Sequence, residues 1–419
     1  MPELVNMNNV LGMIMAGGEG TRLYPLTRDR AKPAVPFGAK YRIIDFVLSN
    51  FVNSGITRIN IMTQFKSDSL NKHVTRGWPM PTMYGDFIDL IPAQMRIDKH
   101  WYQGTADAIY QNIHLIDNEQ PKYVAVFGAD HIYTMDVSQM VVFHQRKQAE
   151  CTIAAIPVPK EVAHEFGIIQ IDEHYRVVGW QEKPQNPTEM PDRPGWCLAS
   201  MGNYVYNTDV LVDLLNKDAP RQESAHDFGK NVVPGSIKSH KVYVYNFFDN
   251  EIPGSEEHQR GYWRDVGTLD AYWEATMDLV LPTPALNLYN KLWPVRSVSY
   301  QAAPTKYLWD HEGRKGHATN SLVADGCIIS GGRLDRCVLS PHVRINSYSE
   351  ITESILMHGV VVGRHAKIHK AIIDKDVIIP PHTEIGVDAE ADRARGFTVS
   401  AGGVTVVAKG SVIEAPVMT

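Results

Sequence analysis

The sequence predicts an α/β domain with a mostly parallel sheet, followed by a left-handed parallel β-helix. Two patterns lead to this prediction. Apolar strands alternate with helix-patterned segments in the first part of the chain, and apolar residues recur every 17 positions near its end. The length of 419 residues and the hydrophobic content of 44% leave room for two domains with substantial cores.

The first part reads as repeated strand–helix units. We expect strands at 9–16, 56–64, 123–133 and 151–159, and helices at 42–55, 104–117 and 136–150. Alternation at this pace predicts right-handed βαβ units and a Rossmann-like sheet. In such sheets ligands bind at the carboxyl ends of the strands. The loop after the first strand, Gln64 and Asp130 should therefore lie close together.

The last part shows four apolar columns with a common period. The columns are Ile328/Ile345/Val362/Ile379, Leu334/Ile351/Ile368/Ile385, Val338/Ile355/Ile372 and Val343/Val360/Val377. Intervals of about six residues between columns match the three flat faces of a left-handed parallel β-helix. We expect a catalytic domain at 1–281, a Pro-rich linker at 282–315 and a regulatory or oligomerisation β-helix at 316–419.

Bulk composition excludes several classes of protein. A net charge of -6 argues against general nucleic-acid or membrane-surface binding. The four cysteines contain no CxxC pair, which argues against a zinc site or a disulfide framework. No segment approaches the roughly 18 apolar residues of a membrane span, and the N-terminus does not resemble a secretion signal. We expect a cytoplasmic protein.

The loop "AGGEGTRLYPLTRDRAKPAVP" at 16–36 carries the strongest chemical signal. It lacks the GxxxxGK[ST] and GxGxxG patterns, but its glycines let backbone N–H groups approach phosphate oxygens. Arg22 adds a bidentate donor and Lys32 a point charge, and three prolines stiffen the segment. The loop therefore predicts a phosphate site that includes Gly17, Gly18 and Gly20.

This loop closely resembles the signature of sugar-nucleotide pyrophosphorylases. "RIIDFVLSN", "WYQGTADAIYQN", "DHIY", "QEKP", "ASMGNYVY", "HDFGK" and "YWRDVGTLDAYWEA" are similar to the bacterial glucose-1-phosphate adenylyltransferases, in family order and over nearly the whole chain. The resemblance implies conversion of ATP and glucose 1-phosphate into ADP-glucose and pyrophosphate with Mg²⁺, in glycogen synthesis. It also implies a homotetramer that responds to anionic metabolites.

The resemblance assigns roles to residues motif by motif. Arg22, Lys32 and Asp130 are the implied catalytic residues, and Asp130 with Asp265 would hold Mg²⁺. The nucleotide would contact Gly17, Gly18, Gly20, Gln64 and Gly104. The sugar phosphate would contact Tyr102, Gly167, Glu182, Lys183 and Ser200. Asp227 fits either a structural or an active-site role.

Several positions depart from the family pattern. Glu19 and Ala129 replace an arginine and a glycine near the expected nucleotide site. Asp29 and Pro36 replace a lysine and a histidine that some bacterial members use to bind effectors. Arg30, Arg42 and Arg364 match the remaining regulatory positions, so we expect an allosteric anion site between the domains with a different ligand.

Three other functions stay open at this stage. The chain could be a pyrophosphorylase for another nucleotide or sugar phosphate, because base choice depends on few hydrogen bonds. It could be a non-catalytic regulatory subunit, although Arg22, Lys32, Asp130 and Asp265 are all present. A β-helix acyltransferase is disfavoured, because the C-terminal part shows no long inserted loop with a catalytic histidine.

Overall fold

The structure is a computed structural model that describes residues 6–96, 99–311 and 313–415. A nine-stranded sheet organises the N-terminal part. Its main path runs through Val177–Glu182, Gly167–Ile171, Trp196–Asn207, Tyr123–Gly128, Val10–Met15, Arg58–Thr63 and Phe87–Pro92. Cys151–Pro159 pairs with Trp196–Asn207 and with Val242–Asn246. The sheet is mostly parallel, as expected, with Trp196–Asn207 antiparallel to Tyr123–Gly128.

The N-terminal part contains eight α-helices in the described residues, and most of them cover the two faces of this sheet. They span Ile43–Asn53, Asp68–Gly77, Thr105–Tyr110, Ile113–Glu119, Val137–Arg146, Thr208–Asp218, Val233–Ser236 and Leu269–Asp278. The helix predicted at 104–117 is interrupted at Asn112. The Asn112 side chain donates hydrogen bonds to the Ala108 carbonyl and the Tyr102 hydroxyl, and such local side-chain bonds compete with the regular helix.

Both faces of the first strand are buried. Val10 and Ile14 join the core on one side, whereas Leu11 and Met13 join the core on the other. A parallel strand covered on both sides reads as a continuous apolar run, which is why this strand was evident in the sequence. All four cysteines are free and buried.

The C-terminal part is a parallel β-helix of three flat sheets. One sheet contains Lys306–Leu308, Ile328–Ser330, Arg344–Ile345, Val361–Val362 and Ile378–Ile379. A second contains His317–Thr319, Arg333–Asp335, Glu350–Thr352, Lys367–His369 and Glu384–Ile385. The third contains Leu322–Val323, Val338–Leu339, Ile355–Leu356, Ala371–Ile373, Thr405–Val407 and Thr398–Val399. Helix Ala389–Ala394 precedes the last two strands. Short antiparallel pairs lie outside the main sheets. Asp310–His311 pairs with Arg314–Lys315, and in the N-terminal part Pro36–Phe37 pairs with Tyr41–Arg42.

One predicted column is wrong by one residue. Ile329, and not Ile328, pairs with Ile345, because this coil is shorter than its successors. Ile328 pairs with Arg344, so it belongs to the outward-facing row. Ile345 and Val362 keep the expected spacing. A period read from sequence alone cannot detect a single shortened coil when isoleucine occupies both positions.

The predicted column that contains Ile355 and Ile372 faces out of the β-helix and not into its interior. Leu356 and Ile373 fill the interior of the β-helix, whereas Ile355 and Ile372 pack on the N-terminal domain. This sheet is therefore apolar on both sides. Strand Lys306–Leu308, within the segment predicted as a linker, pairs with Ile328–Ser330. No helix in the described ranges combines the length and apolar character that a membrane span requires.

Candidate active site

A cleft of about 670 Å³ lies at the carboxyl ends of the central strands. Three strands end there. Val10–Met15 leads into the glycine-rich loop, Arg58–Thr63 leads to Gln64, and Tyr123–Gly128 leads to Asp130. The sequence-based expectation that these segments lie close together is therefore confirmed by the structure.

The glycine-rich loop folds into two short 3₁₀ turns rather than a helix or strand. Gly20 adopts φ = 66°, and its carbonyl accepts a hydrogen bond of 2.9 Å from the Thr27 hydroxyl. A methyl group at Gly20 would lie 3.0 Å from Lys32 Cβ, so this glycine brings the two ends of the loop together. A methyl group at Gly18 would meet no atom within 4 Å, because Gly18 faces open space.

Lys32 bridges two carboxylates inside the cleft. Its Nζ lies 3.0 Å from Asp130 Oδ2 and 3.3 Å from Asp265 Oδ1. Lys32 is only 7% exposed, whereas the Asp130 side chain is 42% exposed and thus accessible to a ligand. Burial opposes ionisation of both partners. The two carboxylates nevertheless raise the pKa of Lys32, and the charges of His131 and Lys32 hold the pKa of Asp130 well below its usual range.

A two-stranded ribbon places Asp265 beside Asp130. Strand Trp263–Asp265 pairs with His131–Tyr133 so that Asp265 lies opposite His131. Potential ligand atoms of Asp130, His131 and Asp265 lie within 4.8 Å of one another. Two carboxylates are a donor set that suits Mg²⁺, so the residues fit a divalent cation. Sequence reasoning missed His131, whose position became apparent only from the ribbon register.

Arg22 approaches the same carboxylates from the loop. A methyl group at Gly267 would lie 2.9 Å from Arg22 Nη2 and 3.0 Å from Asp265 Oδ1. Arg22 itself is exposed on the cleft wall. A guanidinium in this position can contact a phosphate that enters the cleft.

Gln64 lies beside the glycine-rich loop, since a methyl group at Gly17 would lie 3.3 Å from Gln64 Cβ, and Gly104 lines the same cleft. Gln64 Nε2 donates to the Tyr102 carbonyl at 3.5 Å, while the buried Gln64 Oε1 has no hydrogen-bond partner in the described part of the chain. A methyl group at Gly104 would lie 2.2 Å from the His226 carbonyl oxygen. Backbone contact therefore requires glycine here, independently of any ligand.

Most of the residues expected to bind the sugar phosphate line the same cleft. Tyr102, Gly167, Glu182 and Ser200 all line it, together with Trp180, Asp227 and Trp263, to which the resemblance had assigned no definite role. Ser200 lies at an irregularity in strand pairing between Ser200 and Asn203. Such irregularities re-aim side chains. Lys183 is exposed and does not line the cleft, because the backbone turns at φ = 45° directly after Glu182.

The proposed regulatory arginines occupy different surroundings. Arg30 is buried and contacts both oxygens of Asp374 at 2.9 and 3.0 Å. Arg42 donates to the Ser69 carbonyl at 2.7 Å and to the Tyr300 side chain. Arg364 follows strand Val361–Val362. It lies at the edge of the β-helix opposite the sheet that contacts the N-terminal domain, so the structure does not bring Arg364 to the other two.

Sequence reasoning missed Lys375, which lies near Arg30 and Arg42. Burial and these two cations lower the pKa of Lys375 to about 7. Tyr300, Lys40 and Asp325 line a second cavity of about 420 Å³. Arg42 lies beside this cavity, because its side chain is hydrogen-bonded to Tyr300. Lys375 could not be recognised from its sequence neighbours, because its surroundings come from the other domain.

Comparisons with known proteins agree with this geometry. The nucleotidyl transferase family model matches residues 11–280, and the GlmU-like C-terminal hexapeptide model matches 303–407, in agreement with a left-handed β-helix. Nucleotidyltransferases generally use a divalent metal ion.

Three relatives illustrate the similarity. Glucose-1-phosphate adenylyltransferase from Thermus thermophilus is 54% identical over 96% of this chain and 98% of its own length. The enzyme of that name from Anaeromyxobacter sp. is 52% identical over 97% of this chain and 100% of its own length. The one from Rhodopirellula baltica is 51% identical over 99% of this chain and 93% of its own length. The chain therefore belongs to the glucose-1-phosphate adenylyltransferase family of nucleotidyltransferase enzymes.

Proposed function

We propose that this enzyme transfers AMP from ATP to α-D-glucose 1-phosphate, giving ADP-glucose and pyrophosphate. The observation that carries this proposal is the meeting of Lys32, Asp130 and Asp265 beside a glycine-rich loop at the strand ends. The printed name of the relatives supports the choice of substrates.

The reaction requires no general base. A sugar phosphate has a second pKa of about 6, so its oxygen is already ionised near neutral pH and can attack the α-phosphorus of ATP. A new P–O bond forms, the bond from the α-phosphorus to the bridging oxygen breaks, and pyrophosphate leaves in line. The enzyme contributes positioning and charge neutralisation. Arg22 binds the triphosphate, and Lys32 stabilises the leaving pyrophosphate.

Mg²⁺ is the proposed cofactor, held by Asp130 and Asp265. The two carboxylates come from separate strand ends and already share one cation, the Lys32 ammonium group. When bound, the metal ion neutralises charge on the phosphates. Because carboxylates, water and phosphate oxygens satisfy Mg²⁺, no further protein ligand is required.

The remaining cleft residues divide between the two substrates. The buried Gln64 Oε1 has no hydrogen-bond partner among the described residues, and after rotation of its side chain it accepts a hydrogen bond from an amino group of the base, with Gly17, Gly18, Gly20 and Gly104 beside the nucleotide. Glu182, Ser200, Tyr102 and Gly167 bind the hexose 1-phosphate. Lys183, at the rim directly after Glu182, reaches the sugar phosphate by reorienting its side chain.

Regulation and assembly complete the proposal. An anionic metabolite binds near Arg42 and Lys375, where the domains meet beside the second cavity, because Asp374 already neutralises Arg30. The enzyme is a cytoplasmic homotetramer at the committed step of bacterial glycogen synthesis. The predicted catalytic unit is 1–281, and the predicted connection 282–315 already contains the first strand of the β-helix unit, Lys306–Leu308.

A sugar-phosphate panel tests the substrate assignment. Pyrophosphate release is measured with ATP, Mg²⁺ and the 1-phosphates of glucose, mannose, galactose or N-acetylglucosamine. We expect release with glucose 1-phosphate at a kcat/KM at least tenfold above the others. Preference for another sugar would retain the mechanism and change the substrate. A lack of release with every sugar phosphate and nucleotide, with candidate effectors present, would support a regulatory subunit.

A further inference from the structure

Trp180 shares one face of the sheet with Glu182 at the cleft. Their strand lies antiparallel to Gly167–Ile171, with Glu182 directly opposite Gly167. Side chains two residues apart on a strand point to the same side. Both side chains line the cleft. The indole is therefore close to the carboxylate that is proposed to bind the hexose.

Two glycines enclose the edge of this indole. A methyl group at Gly167 would lie 2.6 Å from Trp180 Cζ2 and 3.3 Å from Glu182 Oε2. A methyl group at Gly229 would lie 3.5 Å from the same ring carbon and 3.9 Å from the same oxygen. Gly229 belongs to a different segment, the helical turn Phe228–Val232. The ring is thus held between two backbone segments that have no side chains at the contact.

The indole also contacts Glu182 directly. Trp180 Nε1 donates a hydrogen bond of 3.4 Å to Glu182 Oε2. Glu182 is exposed and is the last residue of its strand. A glutamate side chain has several rotatable bonds, and fixing them costs conformational entropy when a ligand binds. A donor held in place by two glycines reduces that cost before the sugar arrives.

We propose that Trp180 is a positioning residue for the sugar phosphate, because its indole, in contact with two glycines, orients the Glu182 carboxylate toward the hexose hydroxyls. This proposal rests on the proposed function, since Glu182 contacts a hexose only if the substrate is a sugar phosphate. Trp180 acts through Glu182 and not on the reacting phosphorus. Its removal should therefore affect the KM for the sugar and leave kcat unchanged.

A double-mutant cycle tests this role. Trp180→Phe retains an aromatic ring and removes the N–H donor, and Glu182→Ala removes its acceptor. Trp196→Phe is the matched control, because Trp196 lies in the same sheet, two strands away and outside the cleft lining, with Arg193 over its ring. We expect Trp180→Phe to raise the KM for glucose 1-phosphate about fivefold, with kcat and the KM for ATP within about twofold of wild type. In the Glu182→Ala background the same substitution should have no further effect.

Two results would overturn the role of Trp180. One is a KM for glucose 1-phosphate in Trp180→Phe equal to that of Trp196→Phe. The other is an equal rise in KM with and without Glu182. Trp180→Leu, which also lacks a donor, replaces the phenylalanine variant if the latter is unstable by thermal unfolding. Turnover of the wild-type enzyme in the same series tests the proposed function separately. If the wild type turns over normally and Trp180→Phe has no effect on the KM, only the role of Trp180 is refuted.

Discussion

Lys32 Nζ lies 3.0 Å from Asp130 Oδ2, so a lysine forms an ion pair with the carboxylate that is proposed to bind the metal ion. The same nitrogen lies 3.3 Å from Asp265 Oδ1. A metal ion that binds both carboxylates must therefore compete with the Lys32 ammonium group. We therefore expect metal entry to move the Lys32 side chain, which is proposed to bind phosphate.

Replacement of Lys32 should separate metal binding from turnover. We expect Lys32→Met to bind free Mn²⁺ about tenfold more tightly than wild type, because a competing charge is removed at close range. The kcat should fall about 100-fold or more, since the leaving pyrophosphate loses a cation. Electron paramagnetic resonance of Mn²⁺ without nucleotide gives the affinity. The control is Lys66→Met. Lys66 donates a hydrogen bond to the Thr27 carbonyl and contacts neither Asp130 nor Asp265. Weaker or unchanged Mn²⁺ binding in Lys32→Met would contradict this coupling.

Two glycines of the cleft should respond differently to substitution. Gly104→Ala would place Cβ 2.2 Å from a carbonyl oxygen and should destabilise the fold by about 2 kcal/mol or more. Gly18→Ala meets no protein atom within 4 Å and should retain the wild-type thermal midpoint. Its KM for ATP should still rise about tenfold, because the methyl group occupies the space proposed for phosphate. Thermal unfolding and ATP kinetics of both variants check the difference, and an unchanged KM in Gly18→Ala would refute close phosphate approach at Gly18.

The buried Arg30–Asp374 pair should stabilise the contact between the domains. Their side chains are 4% and 1% exposed, and both Asp374 oxygens accept hydrogen bonds from Arg30. Arg30→Met leaves a buried carboxylate without its partner, so we expect a loss of about 3–5 kcal/mol. Arg30→Met with Asp374→Leu should recover part of this loss. Thermal midpoints of both variants test the pair, and equal destabilisation by the single and double changes would argue against it.

The lowered pKa of Lys375 should make the free energy of unfolding depend on pH. Burial, Arg42, Arg30 and Lys409 lower its pKa to about 7 against the opposing charge of Asp374, whereas the unfolded chain has the ordinary value of 10.5. Below pH 7 Lys375 is protonated in both the folded and the unfolded chain, and its unfavourable charge lowers the free energy of unfolding by the full amount. Between pH 7 and 10.5 the unfolded chain binds more protons, so this contribution to stability rises with pH. Lys375→Met should be more stable than wild type at pH 6 and should lack this rise. Thermal midpoints from pH 6 to 10 measure both, and parallel pH profiles for the two proteins would contradict the assignment.

The fold could be predicted because its signals are local and periodic. The strand ending near Gln64 alternates apolar and polar residues, the strand before Asp130 is an apolar run, and the β-helix repeats its inward residues along the chain. The register of Ile329 and the outward direction of Ile355 were not predictable. Both depend on coil length and on packing against another domain.

The candidate site was predictable where a motif carried the residue. Lys32, Asp130 and Asp265 were found in this way, and the structure brings them together. His131 and Trp180 were missed because their neighbours come from paired strands. His131 lies opposite Asp265 in a ribbon, and Trp180 is held by glycines from two separate segments.

The most direct test of the proposed reaction is pyrophosphate release from glucose 1-phosphate with ATP, GTP, UTP, CTP or dTTP in turn, each with Mg²⁺. Asp130→Asn is assayed beside Asp117→Asn, a control on an exposed helix position away from the cleft. We predict release with ATP at a kcat/KM far above the other nucleotides, lost in Asp130→Asn and retained in Asp117→Asn. Release that persists in Asp130→Asn at the wild-type rate, or a preference for another nucleotide, would contradict the proposal.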